Sequence, residues 1–459
     1  MKPLSLKQIA AWTGGKLDPI YNDVLVRGVN TDSREIRPGQ LFIPLAGTRV
    51  DGHNFIGRAI DAGAAGVLTA KEPKRDIPAI RVRDTLEAFG LMAAAYRASL
   101  PVKVIAITGS VGKTTTKEML AAILRRRFRT TWTEGNHNNN LGLPMSIMDI
   151  EPSTELSVLE MGMNHFGEIS YLTRIARPNM AIFTNIGTMH IEYLGSRAGI
   201  LKAKLEVLEG MGEDGVVVMN GDEPLLWDLR GKLDKKCWYF GVSNEECDVR
   251  ASDIVTEDDG VRFTLKGLGK TLDISVPGCG QHTVYNALAA AAAALLSGAE
   301  PEDVSGGLAN FVNTGMRQRI FEQCGYTIID DCYNAGPESM AAALEVLASH
   351  SCRGRRVAVL GDMMELGCVS SAEHYRIGRM AARRKIDLIF AYGANAARVV
   401  AGAVTGGTPY QNAVCYDDQD QLIHELRTRV QPGDVLLFKG SRGMKMERVL
   451  KQFLADYDD

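Results

Sequence analysis

Short, near-continuous apolar runs recur along the chain, each followed by a polar or glycine-rich stretch and then a helical period. In the middle section these are VKVIAI (102–107), LSVLEM (156–161), MAIFTNI (180–186) and GVVVMN (215–220). Runs of this kind between helices predict parallel strands covered on both faces. The alanine-rich stretch Asn286–Leu296 predicts a buried helix, with Asn286 as its cap. Before residue 100, Arg37-Pro38-Gly39 marks a turn ahead of an alternating strand in QLFIPL, and FIGRAIDAGAAGVL predicts a helix stopping near Gly63, then a strand. After residue 315, the runs TIIDDC (327–332), RVAVLGDM (356–363), LIFAYG (388–393) and DVLLFKGS (434–441) predict a smaller doubly wound unit. The expected architecture is α/β in three domains: 1–99, a small α/β unit; 100–315, a parallel sheet; and 316–459, a Rossmann-like unit.

The strand at 102–107 runs into ITGSVGKTTTK (107–117), a glycine-rich loop that opens a helix. Backbone N–H groups of Gly109, Ser110, Val111 and Gly112, with Thr115 and the helix dipole, suit a nucleotide phosphate. Lys113 would reach the outer phosphates, and the Thr114 hydroxyl would face Mg²⁺. The loop departs from G-x4-GK[ST] because Ile107 stands at the first glycine position.

Composition narrows the partners. The 459 residues are 45% apolar and 23% charged, and 52 basic against 55 acidic residues give a net charge of −3. That balance creates no strong field for nucleic acid or an anionic membrane, so small-molecule partners are expected. The N-terminus has no signal-like apolar core, and the run Ala287–Leu296 is too short for a membrane span. Eight scattered cysteines without a C-x-x-C pair fit a reduced, cytoplasmic setting.

Four further segments carry chemistry. TEGNHNNNLGLP (133–144) is poor helix and strand material, and reads as an amide-rich loop over substrate phosphates that includes Asn138 and Asn139. Glu160 ends an apolar strand, where α/β sheets gather ligands, and is a candidate Mg²⁺ ligand. His190 follows another strand of the same sheet. Lys202 and Lys204, by spacing alone, read as solvated helix lysines.

Together these motifs resemble the Mur ligase family. The loop is similar to that family's T-G-[ST]-x-G-K-[ST]-T element, which accounts for Ile107. TEGNHNNNLGLP matches G-N-x-N-N-x-x-G-x-P, and Gly280, His282 and Asn286 match G-x-H-x-x-x-N, whose asparagine contacts adenine. The resemblance implies Mg²⁺ ligation by Thr114, Glu160 and His190, and a CO2-derived carbamate on Lys204 holding a second Mg²⁺. It implies that Arg317 touches the γ-phosphate, and that Asp330 and Asn334 contact ribose and adenine. TDSREIRPGQLFIPLAGTRVDGHNFI, with Ser33 and Arg34, is similar to a uridine-nucleotide domain. DDCYNAGPESM, LGDMMELG and KGSRGMKMERV resemble the dipeptide-adding branch, although Gly336 replaces a usual asparagine. The D-[DN]-P-R element of the diaminopimelate-adding branch is absent.

The activity implied is ATP-dependent joining of D-Ala-D-Ala to UDP-N-acetylmuramoyl-tripeptide in peptidoglycan precursor synthesis, by a monomer. Lysine and diaminopimelate both stay open at position three of the tripeptide. The alternatives are the ligase adding the third residue, a folylpolyglutamate synthetase, and a P-loop NTPase module. Residues 31–56 argue against the folate ligase. The NTPase module leaves Asn136–Asn140 unexplained.

Overall fold

The computed structural model describes residues 1–47, 50–73, 75–257, 260–312 and 315–455. Thr48 and Arg49 of the uridine-nucleotide segment, and the last four residues of the section 316–459, lie outside the described residues.

The first section carries a parallel sheet in the order Val29–Asn30, Leu41–Phe42, Gly66–Thr69, Ala79–Arg81. The expected alternating strand in QLFIPL pairs only at Leu41–Phe42. Both residues are buried, against different apolar clusters, so no in–out alternation survives. The helix Ile56–Asp61 and strand Gly66–Thr69 form as the pattern predicts. The helix Thr85–Ala98 follows, capped by the Asp84 carboxylate, which accepts from Glu87 N at 2.8 Å.

The central sheet has nine strands: Lys270–Pro277, Gly260–Gly267, Val249–Thr256, Lys236–Gly241, Val216–Asn220, Met180–Phe183, Lys103–Thr108, Leu156–Glu160 and Thr130–Trp132. The last six, with Val249–Thr256, run parallel; the first two form an antiparallel meander. Lys103–Thr108 lies between Met180–Phe183 and Leu156–Glu160, with Ile107 opposite Glu160 and Thr108 opposite Phe183. The phosphate loop, Glu160 and the segment leading to His190 therefore leave the sheet side by side at its carboxyl edge, where α/β sheets bind ligands.

The strands between Lys236 and Pro277 were not foreseen, although Val261, Phe263, Leu265 and then Leu272, Ile274, Val276 are buried with strand period. The alanine-rich helix starts at Gln281, with Gly280 as its cap. Asn286 is thus an interior residue of the helix rather than its cap. The small alanines let this helix lie close to the sheet and to the helix Lys113–Leu124.

The third sheet runs Arg319–Gln323, Tyr326–Asp331, Val435–Lys439, Arg356–Gly361, Leu388–Tyr392, Ala413–Tyr416, parallel except for the first pair. The four predicted strands form its interior. Among the described residues, no helix is long and apolar enough to cross a membrane.

Candidate active site

A cavity of about 1230 Å³ lies where the three sheet units meet. It is bordered by Glu87 from the first, the phosphate loop and Glu160 from the second, and Arg317, Asp331 and Lys439 from the third.

The loop is shaped by two glycines. Gly109 has φ +151 and Gly112 φ +87, and a Cβ on Gly112 would lie 2.3 Å from Asn286 Oδ1. Only glycine adopts these angles cheaply in so little space. Ile107 is a fully buried strand residue, so the turn begins after it, at Gly109. Val111 N donates to Asn185 Oδ1 (2.9 Å), Asn185 Nδ2 donates to Val111 O (3.0 Å) and Ser110 N donates to Asn185 O (3.1 Å). The N–H groups of Ser110 and Val111, expected to face a phosphate, are therefore committed to Asn185. The helix Lys113–Leu124 starts with no side-chain cap, which leaves its N-terminus as the anion-binding end. Asn185 was missed in the sequence; its signal is its place beside Thr184 after an apolar strand.

Lys113 Nζ folds back onto Gly109 O (2.8 Å) and Ser110 O (3.3 Å). Burial pushes its ammonium below the usual lysine value, Glu160 pulls it up and Arg317 pushes it down.

Glu160 is buried. Its Oε2 accepts from Thr114 Oγ1 (2.7 Å), its Oε1 from Asn138 Nδ2 (2.8 Å), and its backbone N donates to Thr133 Oγ1 (3.0 Å). These partners are neutral, and Glu160 forms no ion pair among the described residues. A buried carboxylate so placed suits a bound cation. Among the described residues, no group of three His, Cys, Asp or Glu could hold a metal. The donors present, one carboxylate with a hydroxyl and an imidazole beside a phosphate site, fit Mg²⁺, which keeps waters and substrate phosphates as ligands.

His190 lines the cavity, and its Nδ1 contacts Glu365 Oε2 at 2.5 Å. Lys204, in the helix Arg197–Leu205, is not solvated as its spacing suggested: it is buried, and its side-chain amine makes no hydrogen bond or ion pair among the described residues. Burial, then the charge of Lys113, pushes its amine well below the lysine value. A neutral amine is the form able to take up CO2. Thr114, Lys204 and Gly109 do not line the cavity, whereas Thr115, Asn138 and Asn139 do.

Asn286 lines the cavity and accepts from Thr116 Oγ1 at 3.3 Å. On the opposite wall, the Arg317 guanidinium lies 4.1 Å from the Tyr333 ring centre, and Asn334 also borders the space. Asp330 does not line the cavity; Asp331 does, and pairs with Lys439 Nζ at 2.6 Å. Successive strand residues face opposite ways, so the second aspartate is the one presented. Asp331, Tyr333 and Lys439 were missed; a strand-end DD read with its two-residue period would have found the first. Ser33 and Arg34 lie away from the cavity, with Ser33 buried and Arg34 paired to Asp32.

The third unit is tied to the second across the site. Thr188 N and Oγ1 donate to Glu338 Oε1 (2.9 and 3.0 Å), and His282 Nε2 meets Gln318 Oε1 (2.7 Å).

The chain matches three family models: Mur ligase middle domain over 107–294, Mur ligase glutamate ligase domain over 316–442, and Mur ligase family catalytic domain over 25–127. It is 41% identical to the UDP-N-acetylmuramoyl-tripeptide–D-alanyl-D-alanine ligase of Bacillus subtilis, over 98% of each chain. It is similar to a crystal structure of MurF from Acinetobacter baumannii (TM-score 0.90, 33% identity, 99% of each chain). It is also similar to MurF ligase from Thermotoga maritima in complex with ADP (TM-score 0.82, 28% identity, 94% of this chain and 98% of that one). With a phosphate loop, a buried carboxylate and a third unit closing one cavity, and with these matches along its length, the chain belongs to the Mur ligase family.

Proposed function

We propose that this chain is an ATP-dependent, ADP-forming ligase that joins D-Ala-D-Ala to UDP-N-acetylmuramoyl-tripeptide. The observation that carries this reading is the single cavity built by all three units, with the phosphate loop and Glu160 on one wall and Arg317 on the other. The division 1–99, 100–315 and 316–459 is supported by each sheet falling within one of those ranges. Catalysis in the cytoplasm by a monomer completes the proposal.

The tripeptide carboxylate attacks the γ-phosphorus, and the β–γ bridging oxygen leaves with ADP. The amine of D-Ala-D-Ala then attacks the acyl carbon and expels phosphate. Two anions must approach each other in the first step, so the site has to supply positive charge. Lys113 and Arg317 supply it from opposite walls. Thr114, Glu160, His190 and the carbamate of Lys204 would hold Mg²⁺, which neutralises phosphate charge when bound. Lys204 has the low amine basicity that carbamate formation needs. Asn286 and Asn334 border the nucleotide, and the uncapped, electropositive N-terminus of Lys113–Leu124 takes its phosphates. The third unit excludes water from the acyl phosphate.

The test is phosphate release from ATP with the UDP-muramoyl tripeptide present. D-Ala-D-Ala should drive it and single amino acids should not. Release driven by a single amino acid on a dipeptide substrate would point instead to the enzyme adding the third residue.

A further inference from the structure

We propose that Glu365 is a positioning residue for His190, so that docking of the third unit completes the metal site. This rests on the reading of His190 as a Mg²⁺ ligand. His190 stands on the central sheet's carboxyl edge, whereas Glu365 follows the strand Arg356–Gly361 of the third sheet.

The two segments meet at more than one point. Glu365 Oε2 is 2.5 Å from His190 Nδ1, and Glu192 N donates to Glu365 O at 3.4 Å. Both His190 (φ +64) and Glu365 (φ +62) hold the left-handed conformation, which such residues rarely adopt. Strain of this kind persists where the surroundings impose it, and it gathers at functional sites.

The loop that delivers Glu365 is fixed from behind. Met363 N donates to Nε2 of the buried His374 (2.9 Å), whose Nδ1 donates to Ser370 O (2.7 Å). Met364 N donates to Ser441 Oγ (2.8 Å), and Ser441 N donates to Asp362 O (3.0 Å). The Glu365 carboxylate therefore arrives on a pinned loop.

The consequence is chemical. With Nδ1–H donated to a carboxylate, the His190 lone pair is on Nε2, and the ring cannot turn. Nε2 has no partner among the described residues, and His190 lines the cavity. The ligand atom is thus set by a residue of the other unit. Without the Glu365 carboxylate beside Nδ1, the ring loses what fixes its tautomer and its orientation.

The test uses the full chain with a non-hydrolysable ATP analogue and Mn²⁺ as the probe, free Mn²⁺ being read by electron paramagnetic resonance. Glu365→Ala should weaken Mn²⁺ binding roughly 10- to 100-fold. His190→Ala should do the same, and the double variant should be no weaker than His190→Ala alone, because one residue acts through the other. Glu365→Gln keeps an acceptor for Nδ1–H and should lose less; it carries the comparison if the alanine variant does not unfold cooperatively. Wild-type Mn²⁺ affinity in both Glu365 variants, with His190→Ala weakened, would overturn the proposal and leave the ligand reading intact. Wild-type affinity in His190→Ala would overturn that reading, and the role of Glu365 with it.

Discussion

Gly112→Ala tests whether the loop geometry sets nucleotide affinity. Alanine at φ +87 costs about 1–2 kcal/mol in a conformation that disfavours a Cβ. The new Cβ would lie 2.3 Å from Asn286 Oδ1 and 3.2 Å from its Cγ, so the amide must move. Moving it breaks the Thr116 contact, worth about 1 kcal/mol, and pushes the side chain off its rotamer for about 0.5–1 kcal/mol more. The free variant relieves this strain by leaving the native loop shape, and ATP must restore that shape to bind, so the sum, about 2.5–4 kcal/mol, corresponds to ATP binding weaker by roughly 60- to 800-fold. Isothermal titration with a non-hydrolysable ATP analogue measures it. Asn286→Ala removes the clashing atom, so Gly112→Ala in that background should cost only its backbone share, about 1–2 kcal/mol. Binding by Gly112→Ala within a few-fold of wild type would refute the reasoning, as would a strictly additive double variant.

Lys204→Ala should lower turnover about 100-fold without lowering the unfolding midpoint, since the buried amine has no partner to lose. A short-chain carboxylic acid should restore part of the rate and bicarbonate none; near-normal turnover would remove the carbamate. Glu160→Gln should also cost about 100-fold in Mg²⁺-dependent rate, yet raise the stability of the metal-free protein, because a buried carboxylate without a cation is replaced. Asp222→Ala should destabilise by about 2–4 kcal/mol, since it strands the N–H groups of Val242, Ser243 and Asn244 and the Tyr285 hydroxyl. Burial pushes the Asp222 carboxyl up, but these donors outweigh it and hold it below its ordinary 3.8. That stability is therefore full above pH 3.8 and fades as pH falls through the lower folded value, so denaturation curves of the two proteins should converge in acid.

The parallel strands Lys103–Thr108, Leu156–Glu160, Met180–Phe183 and Val216–Asn220 were legible because burial on both faces writes an uninterrupted apolar run, as in Val158–Leu159 or Ile182–Phe183. The strands Arg319–Gln323 and Ala413–Tyr416 were not, because they are edge strands with half-exposed, mixed composition. The motif residues Lys113, Glu160 and His190 reached the cavity because they follow adjacent strands at one sheet edge. Asp330 did not, because the resemblance aligned the first of two aspartates, whereas the pleat presents the second. Asn286 looked like a helix cap because Gly280, not a polar residue, opens the helix. Lys204 read as solvated because helix spacing does not report which face packs against the neighbouring helices of its own unit, here Glu168–Ala176 and Ile191–Leu194. Glu365 lay beyond sequence reasoning altogether: its partner is 175 positions away, in a different sheet unit.

The proposed reaction begins with the tripeptide carboxylate attacking the γ-phosphate. Tripeptide labelled with oxygen-18 in that carboxylate tests this directly, with the released phosphate analysed by mass spectrometry after D-Ala-D-Ala is added. Transfer of one labelled oxygen to each phosphate is the predicted result, because the bridging oxygen of the acyl phosphate leaves with phosphorus. Ligated product accompanied by unlabelled phosphate would contradict it.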